Sequence, residues 1–132
     1  TAALAGVDVR LMVPRRGDAK LVEWASRSYL MEVIEAGVKV YLYEDGFNHS
    51  KLLVSDDNLS SCGSTNIDFR SFENNFEANA FFFGEGMALR IKRIFLADQE
   101  RSMLVDDVAY FIKRPFFQRL FESLVRLLSP LL

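Results

Sequence analysis

HSKLLVSDDNLSSCGSTN, residues 49–66, is the stretch that decides the fold. Two short apolar runs flank Asp57-Asn58, a pair that is typical of turns, so the stretch predicts two neighbouring strands. Side chains two positions apart on a strand point to the same face. His49 and Lys51 are therefore predicted to project side by side, while Ser50 turns away.

The segments on either side of this stretch alternate between strand and helix patterns. Strands are predicted over 7–13, 38–43, 49–54, 59–62 and 76–83, and helices over 19–36, 87–98, 102–112 and 115–128. Gly37 follows the first long helix where a C-terminal cap belongs. The continuous apolar end of 76–83 predicts a strand that is buried on both faces. This order of elements indicates an α/β fold.

Composition fits one compact domain and argues against several classes of protein. The chain has 132 residues, half of them hydrophobic, and sixteen basic against eighteen acidic side chains leave a net charge of −2. Bulk charge therefore gives no reason to expect a nucleic-acid surface. Cys62 is the single cysteine, which excludes an intrachain disulfide. The absence of an initiator Met and of a signal-peptide pattern is what we expect of a segment from a longer chain.

The polar residues of this stretch suit the chemistry of a phosphodiester. Lys51 offers three donors to a non-bridging phosphate oxygen, and His49, the only histidine, can exchange a proton near neutral pH. Ser64 and Asn66 are two apart and can face one direction together. Gly63 removes a side chain that would keep the backbone from a bound phosphate.

An acidic partner is also needed to hold the imidazole in one tautomer. Glu77 lies on the last predicted strand, where its carboxylate could accept the ring N–H of His49. A metal site is not expected, because one His and one Cys are too few soft ligands and Asp56-Asp57 lacks the further oxygen donors of a calcium loop. No other cofactor is predicted.

Each residue alone also has an ordinary structural interpretation. A single histidine on a strand is more often structural than catalytic, Lys51 would be a solvated charge, and 63–66 has a common turn composition. The joint spacing H-x-K-x-x-x-x-D followed by G-S-x-N requires several independent coincidences, so together the residues favour a catalytic function.

This spacing, over 49–56 and 63–66, resembles the HKD signature of the phospholipase D superfamily. The flanking segments resemble the second, C-terminal HKD half of bacterial cardiolipin synthases, chiefly 25–29 with 35–38, 66–72 with 75–77, and the ending from Lys113 to Leu132. The resemblance implies an α/β/α sandwich with a mixed β-sheet, a phospholipase D-like half domain. Residues 1–112 would form the catalytic domain and 113–132 an amphipathic helix at its end.

The resemblance also implies residue roles. His49 would be one of two active-site histidines, acting as general acid/base, while Lys51 and Asn66, supported by Ser64, would hold the phosphate. Glu77 would bond the imidazole. Asp56, the remaining member of the catalytic set, would lie behind the site and tie the motif together.

The implied reaction is the transfer of a phosphatidyl group from phosphatidylglycerol through a phosphatidyl-histidine, without a metal. The expected partners are the phospholipid, the membrane surface and an N-terminal HKD half of the same parent chain, with no nucleic acid. The expected location is the bacterial inner membrane, through the parent protein, with this domain on the cytoplasmic side or at the membrane surface. The chain alone is expected to be inactive.

Several alternatives stay open at this point. A phospholipase D-type phosphodiesterase or a single-motif homodimeric nuclease would carry the same motif, and a non-catalytic half could scaffold its partner. The apolar stripe of 115–128 fits a helix at a bilayer surface as well as one packed on the other half.

Overall fold

The computed structural model describes residues 1–15, 29–46, 48–67, 69–105 and 110, with the backbone alone at 69 and 70. The first part of the predicted helix 19–36, most of the predicted helix 102–112 and the whole of the predicted helix 115–128 lie outside these residues, as does the domain boundary expected after 112. The chain divides into two compact units. The first unit is Thr1–Phe47 with Ser102–Leu132, and the second unit is Asn48–Arg101.

The first unit contains a mixed three-stranded sheet. Strand β1 (Arg10–Pro14) runs parallel to β2 (Lys39–Tyr43), and β2 runs antiparallel to β6 (Ser102–Val105), in the order β1-β2-β6. A short 3-10 turn (Ala3–Ala5) precedes β1, and Gly6 ends it with a left-handed φ of 86°. The mixed pairing agrees with the predicted mixed sheet.

Helix α1, of which residues 29–35 are described, lies between β1 and β2 in the chain and supplies part of the core. The buried core consists of apolar side chains from α1, β2 and β6: Leu30, Ile34, Val40, Leu42 and Val105. Gly37 ends α1 at a φ of 92°. The N–H of Gly37 donates to the carbonyl of Ile34, and the N–H of Val38 donates to the carbonyl of Val33, both at 2.9 Å. This pair of bonds is the Schellman pattern. The predicted cap at Gly37 is confirmed.

The predicted helix over 102–112 is wrong over its first four residues. Ser102–Val105 forms β6, in which Val105 lies opposite Val40 and Leu104 opposite Tyr41. An apolar run of this length fits either a buried strand or a helix segment. Pairing with β2 makes it a strand. Periodicity within 102–105 carries no information about that distant partner.

The second unit contains an antiparallel sheet of three strands in sequence order. These are β3 (Leu52–Ser55), β4 (Leu59–Gly63) and β5 (Asn79–Phe83), with helix α2 (Phe69–Glu73) between β4 and β5. Helix α3 (Glu85–Gln99) follows and contacts all three strands, burying Ala88 and Ile91. The predicted α/β class and the helix over 87–98 are confirmed.

Two strands of the second unit are shorter than predicted. β3 begins at Leu52 rather than at 49, and β5 begins at Asn79 rather than at 76. The expected burial of both faces of β5 is also wrong. Phe81 and Phe83 are 60% and 85% exposed, whereas Phe82, which points to the opposite face, is half-buried.

Candidate active site

A tight turn closes the β3–β4 hairpin and fixes the position of Asp56. Asp56 and Asp57 have φ of 49° and 60°, and the N–H of Asn58 bonds to the carbonyl of Ser55 at 3.2 Å. Positive φ at both central residues is the requirement of a type I′ turn, whose twist matches that of the flanking strands. Asp56 accepts a hydrogen bond from the Ser55 hydroxyl at 3.2 Å.

The opposite end of the hairpin gathers most of the predicted site residues. The N–H of Gly63 bonds to the carbonyl of Lys51 at 3.2 Å, which brings the start of β3 beside the end of β4. Ser64 then joins Ala78 through two bonds of 3.0 Å, one from its N–H to the Ala78 carbonyl and one from the Ala78 N–H to its hydroxyl. Lys51, Ser64 and the neighbourhood of Glu77 therefore meet at one end of the sheet.

Asp56 lies away from this cluster. A strand rises about 3.3 Å per residue, so the five steps from Lys51 place Asp56 about 16 Å away along β3. Its part in the catalytic set stays a prediction, and the structure places it in the hairpin turn.

Glu77 is held by side chains from three directions. Its carboxylate accepts hydrogen bonds from the Ser64 hydroxyl and from Asn75 Nδ2 at 3.2 Å, and the Ser71 hydroxyl, as a further donor, lowers the pKa of Glu77. The bond from Ser64 does most to hold the pKa of Glu77 below its usual value, with smaller contributions from Asn75, Ser71 and the positive charge of Lys51, while partial burial acts in the opposite direction. Glu77 is therefore a carboxylate that stays ionised.

Lys51 connects Glu77 to the region of the histidine. Its ammonium donates to the backbone carbonyl of His49 at 3.0 Å, and its charge acts on Glu77. His49 is exposed, and both residues precede β3 rather than lying within it. The hydrogen bonds described for Glu77 come from serine and asparagine side chains, so a bond from its carboxylate to the ring of His49 stays a prediction.

The structure gives Gly63 a packing requirement. A Cβ at this position would overlap the side chain of Asn79, its partner in β5, and the carbonyl oxygen of Ala78. The close approach of β4 and β5 accounts for the glycine by itself. A role of Gly63 in admitting a phosphate stays a prediction.

Asn66 is attached to the cluster through its backbone. Its N–H donates to the Ser71 hydroxyl at 3.2 Å, and its side chain is exposed. Next to it, Asn79 donates to the Thr65 hydroxyl. The segment from Ser64 to Asn66 is thus bonded to β5 and to α2.

Ser71 and Asn75 adjoin the predicted site, although the motif spacing assigns neither of them a role. Asn75 precedes Glu77 by two residues, and this short separation is a signal that could have found it. Ser71 lies on a five-residue helix, and its contacts to Asn66 and Glu77 become visible only when the loop is folded. No group of three metal-binding side chains is present among the residues that the structure describes. None of the described helices combines the length and hydropathy needed to cross a bilayer.

Comparison with known proteins decides the family. Residues 1–99 match the sequence model of the family described as cardiolipin synthase, phospholipase D-like domain. The chain belongs to this family of cardiolipin synthase domains. The resemblance seen in the sequence is thereby confirmed.

Curated relatives of this cardiolipin synthase domain are similar along nearly all of it. It is 51% identical to the cardiolipin synthase of Geobacillus kaustophilus and 45% identical to cardiolipin synthase 1 of Staphylococcus epidermidis. In each case the match covers 99% of this chain and 26% of the relative. The chain spans about a quarter of the length of these relatives.

Solved structures support the fold of the cardiolipin synthase domain. Phosphatidylserine synthase of Haemophilus influenzae matches with a TM-score of 0.68 at 17% identity, over 99% of this chain and 37% of that one. The phospholipase D family member Nuc of Salmonella typhimurium matches with a TM-score of 0.64 at 19% identity, over 77% of this chain and 66% of Nuc. The phospholipase D-like fold is therefore confirmed.

Proposed function

We propose that this chain supplies one half of the active site of a phosphatidyltransferase that makes cardiolipin from phosphatidylglycerol. The observation that carries the proposal is the convergence of Lys51, Ser64 and Glu77 at one end of the second unit's sheet, with Lys51 bonded to the backbone of the only histidine. The cardiolipin synthases to which the chain is similar support the choice of reaction.

The cluster has the charges that phosphoryl transfer needs. The transferring group carries negative charge on its equatorial oxygens, and fixed donors stabilise that charge. Lys51 would supply a cation and Asn66 an amide N–H group, with Ser64 holding the segment between them. Glu77, ionised and bonded from three sides, would hold this arrangement and, in the assembled enzyme, orient an imidazole.

The proposed reaction has two steps and needs two histidines. In the first, one imidazole nitrogen attacks phosphorus, a P–N bond forms, and the P–O bond to glycerol breaks as the other histidine protonates the departing oxygen. In the second, a hydroxyl of another phosphatidylglycerol attacks phosphorus, the P–N bond breaks, and the hydroxyl proton passes to the second histidine. We assign His49 as the histidine that acts as general acid in the first step and as general base in the second.

The nucleophile would come from an N-terminal HKD half, in keeping with relatives that are about four times as long. We accordingly propose that the parent protein acts at the bacterial inner membrane, where its lipid substrate lies. The chain alone would lack the facing histidine. General acid–base assistance alone is typically worth about 10²- to 10⁴-fold in rate, so the isolated chain should show almost no transfer.

A lipid product assay on the two-half parent enzyme tests the proposal. His49→Ala should lower cardiolipin formation from labelled phosphatidylglycerol by at least about 10²-fold. Ser50→Ala is the matched control, because Ser50 is the exposed neighbour of His49 and bonds to Asn48. Normal synthesis by His49→Ala would refute the proposal and favour a scaffolding half. Robust transfer by the isolated monomeric chain would refute the half-site.

The same preparation tests the nuclease alternative. Incubation with DNA should give no cleavage, since a net charge of −2 gives no reason to expect a nucleic-acid surface. DNA cleavage that requires His49, without a lipid product, would instead identify a nuclease.

A further inference from the structure

Ser71 uses its hydroxyl in two directions at once. The side chain lies on α2 and is only 6% exposed. Its oxygen accepts the backbone N–H of Asn66 at 3.2 Å, and the hydroxyl acts as a donor towards the carboxylate of Glu77, which lowers the pKa of Glu77. A serine hydroxyl has one proton to donate and lone pairs to accept with, so both bonds can exist together.

These bonds close a ring around the segment that begins at Ser64. Ser64 is bonded to Glu77 directly, and Asn66 is bonded to Glu77 through Ser71. Both ends of the segment Ser64–Asn66 are thus linked to the carboxylate of Glu77. Asn75 Nδ2 also donates a hydrogen bond to Oε1 of Glu77 at 3.2 Å, which further restricts the orientation of this carboxylate.

We propose that Ser71 is a positioning residue, which sets the place of Asn66 relative to Lys51 by joining the Asn66 backbone to the Glu77 carboxylate. This inference rests on the proposed function, in which Lys51 and Asn66 hold the phosphate. In this role Ser71 acts through Asn66 and Glu77 rather than by contact with the reacting atoms. Placement matters because a small displacement of groups that hold a transferring phosphate lowers the rate far more than it lowers binding.

Two variants of Ser71 separate the hydrogen bonds from the packing. Ser71→Ala removes the hydroxyl, and Ser71→Cys keeps a side chain of similar shape with a much weaker donor. Ser60→Ala is the matched control. Ser60 is fully buried in β4 of the same unit, and its hydroxyl has no hydrogen-bond partner within the described part of the chain.

The first measurement is the rate of cardiolipin formation by the two-half parent enzyme. Both Ser71 variants should lower kcat by about tenfold, the effect of losing a hydrogen bond to a charged group, with KM for phosphatidylglycerol changed by no more than about threefold. Ser60→Ala should match the wild type. If Ser71→Ala folds poorly, Ser71→Cys alone decides the result.

The second measurement follows the side-chain carboxyl carbon of Glu77 by NMR during acid titration of the 132-residue chain. Loss of the Ser71 donor should raise the pKa of Glu77, because Ser64, Asn75 and the charge of Lys51 would then stabilise the carboxylate alone. Ser60→Ala should leave that titration unchanged.

The outcomes distinguish the two proposals. If His49→Ala is inactive while both Ser71 variants behave like Ser60→Ala in rate and titration, the positioning role is overturned and the proposed function stands. If His49→Ala is fully active, the proposed function falls, and the positioning role falls with it. A lowered kcat together with a raised pKa of Glu77 supports the role of Ser71.

Discussion

The ammonium nitrogen of Lys51 lies 3.0 Å from the backbone carbonyl oxygen of His49. A lysine can donate three hydrogen bonds, so this contact leaves two protons for other acceptors. The same side chain therefore restrains the backbone that carries the histidine and presents positive charge beside Glu77.

Replacing Lys51 should remove both the restraint on the His49 backbone and the positive charge beside Glu77. Lys51→Met in the two-half parent protein should lower kcat for cardiolipin formation by about 10²- to 10³-fold, the usual effect of removing one group that stabilises transition-state charge. Lys92→Met is the control, since Lys92 is a half-exposed lysine that pairs with Asp57 at the other end of the hairpin. Equal rates for the two variants would contradict the role of Lys51.

Gly63 should not tolerate even one methyl group. Gly63→Ala would place a Cβ against the Asn79 side chain and the Ala78 carbonyl, and the free energy of unfolding should fall by about 1–3 kcal/mol or more. Gly86→Ala is the control, because nothing lies within 4 Å of a Cβ there and alanine favours a helix by roughly 0.5–1 kcal/mol. Urea denaturation of both variants measures the difference, and an unchanged midpoint for Gly63→Ala would contradict the packing argument.

The turn at Asp56 makes a prediction about backbone conformation. Asp56→Gly should be at least as stable as the wild type, because glycine adopts a positive φ without steric cost. Asp56→Val should lose about 1–2 kcal/mol in free energy of unfolding, since a β-branched side chain opposes the left-handed conformation. Equal stabilities of the two variants, compared by urea denaturation, would show that the turn does not depend on φ at this position.

In the first unit, Asp8 should make stability depend on pH in the acid range. Its carboxylate is bonded to Arg10 Nη2 at 2.7 Å and to Lys39 Nζ at 2.9 Å, and these bonds, that of Arg10 first, lower the pKa of Asp8 to about 2. Because the folded pKa is lower than the unfolded one, the contribution is complete above about pH 4 and is lost as the pH falls towards 2.

The expected result is a flatter pH dependence for Asp8→Asn than for the wild type between pH 4 and pH 2, in free energies of unfolding from urea titrations. Glu73→Gln, an exposed carboxylate on α2, controls for the change in net charge. Parallel curves for wild type and Asp8→Asn would refute the linkage.

The sequence predicts the parts of the fold that local chemistry determines. Gly37 is needed for a left-handed cap, the apolar spacing of α3 fits one face of a helix, and Asp57-Asn58 favours a turn whatever the rest of the chain does. The strand at 102–105 could not be predicted in this way. Its conformation is set by pairing with β2, a partner that is far away in sequence.

The candidate site likewise contains residues that the sequence predicts and residues that only the folded structure reveals. Motif spacing singles out Lys51, Ser64 and Glu77, and the structure brings these residues together. The motif spacing groups Asp56 with the site residues, whereas the extended strand between Lys51 and Asp56 carries Asp56 to the opposite end of the hairpin. The spacing also gives no role to Ser71, whose two bonds exist only after α2 has folded back on the preceding loop.

The order of strands has a consequence for the time course of folding. The strands of the second unit pair with their immediate neighbours in sequence, so this sheet can zip up by successive hairpins. The β2–β6 pair must instead wait until the whole of Asn48–Arg101 has been looped out between its two strands. Loop-closure entropy opposes contacts of that separation, and the amides that join β2 to β6 should therefore gain protection later than those of the second unit's sheet in pulse-labelled hydrogen exchange.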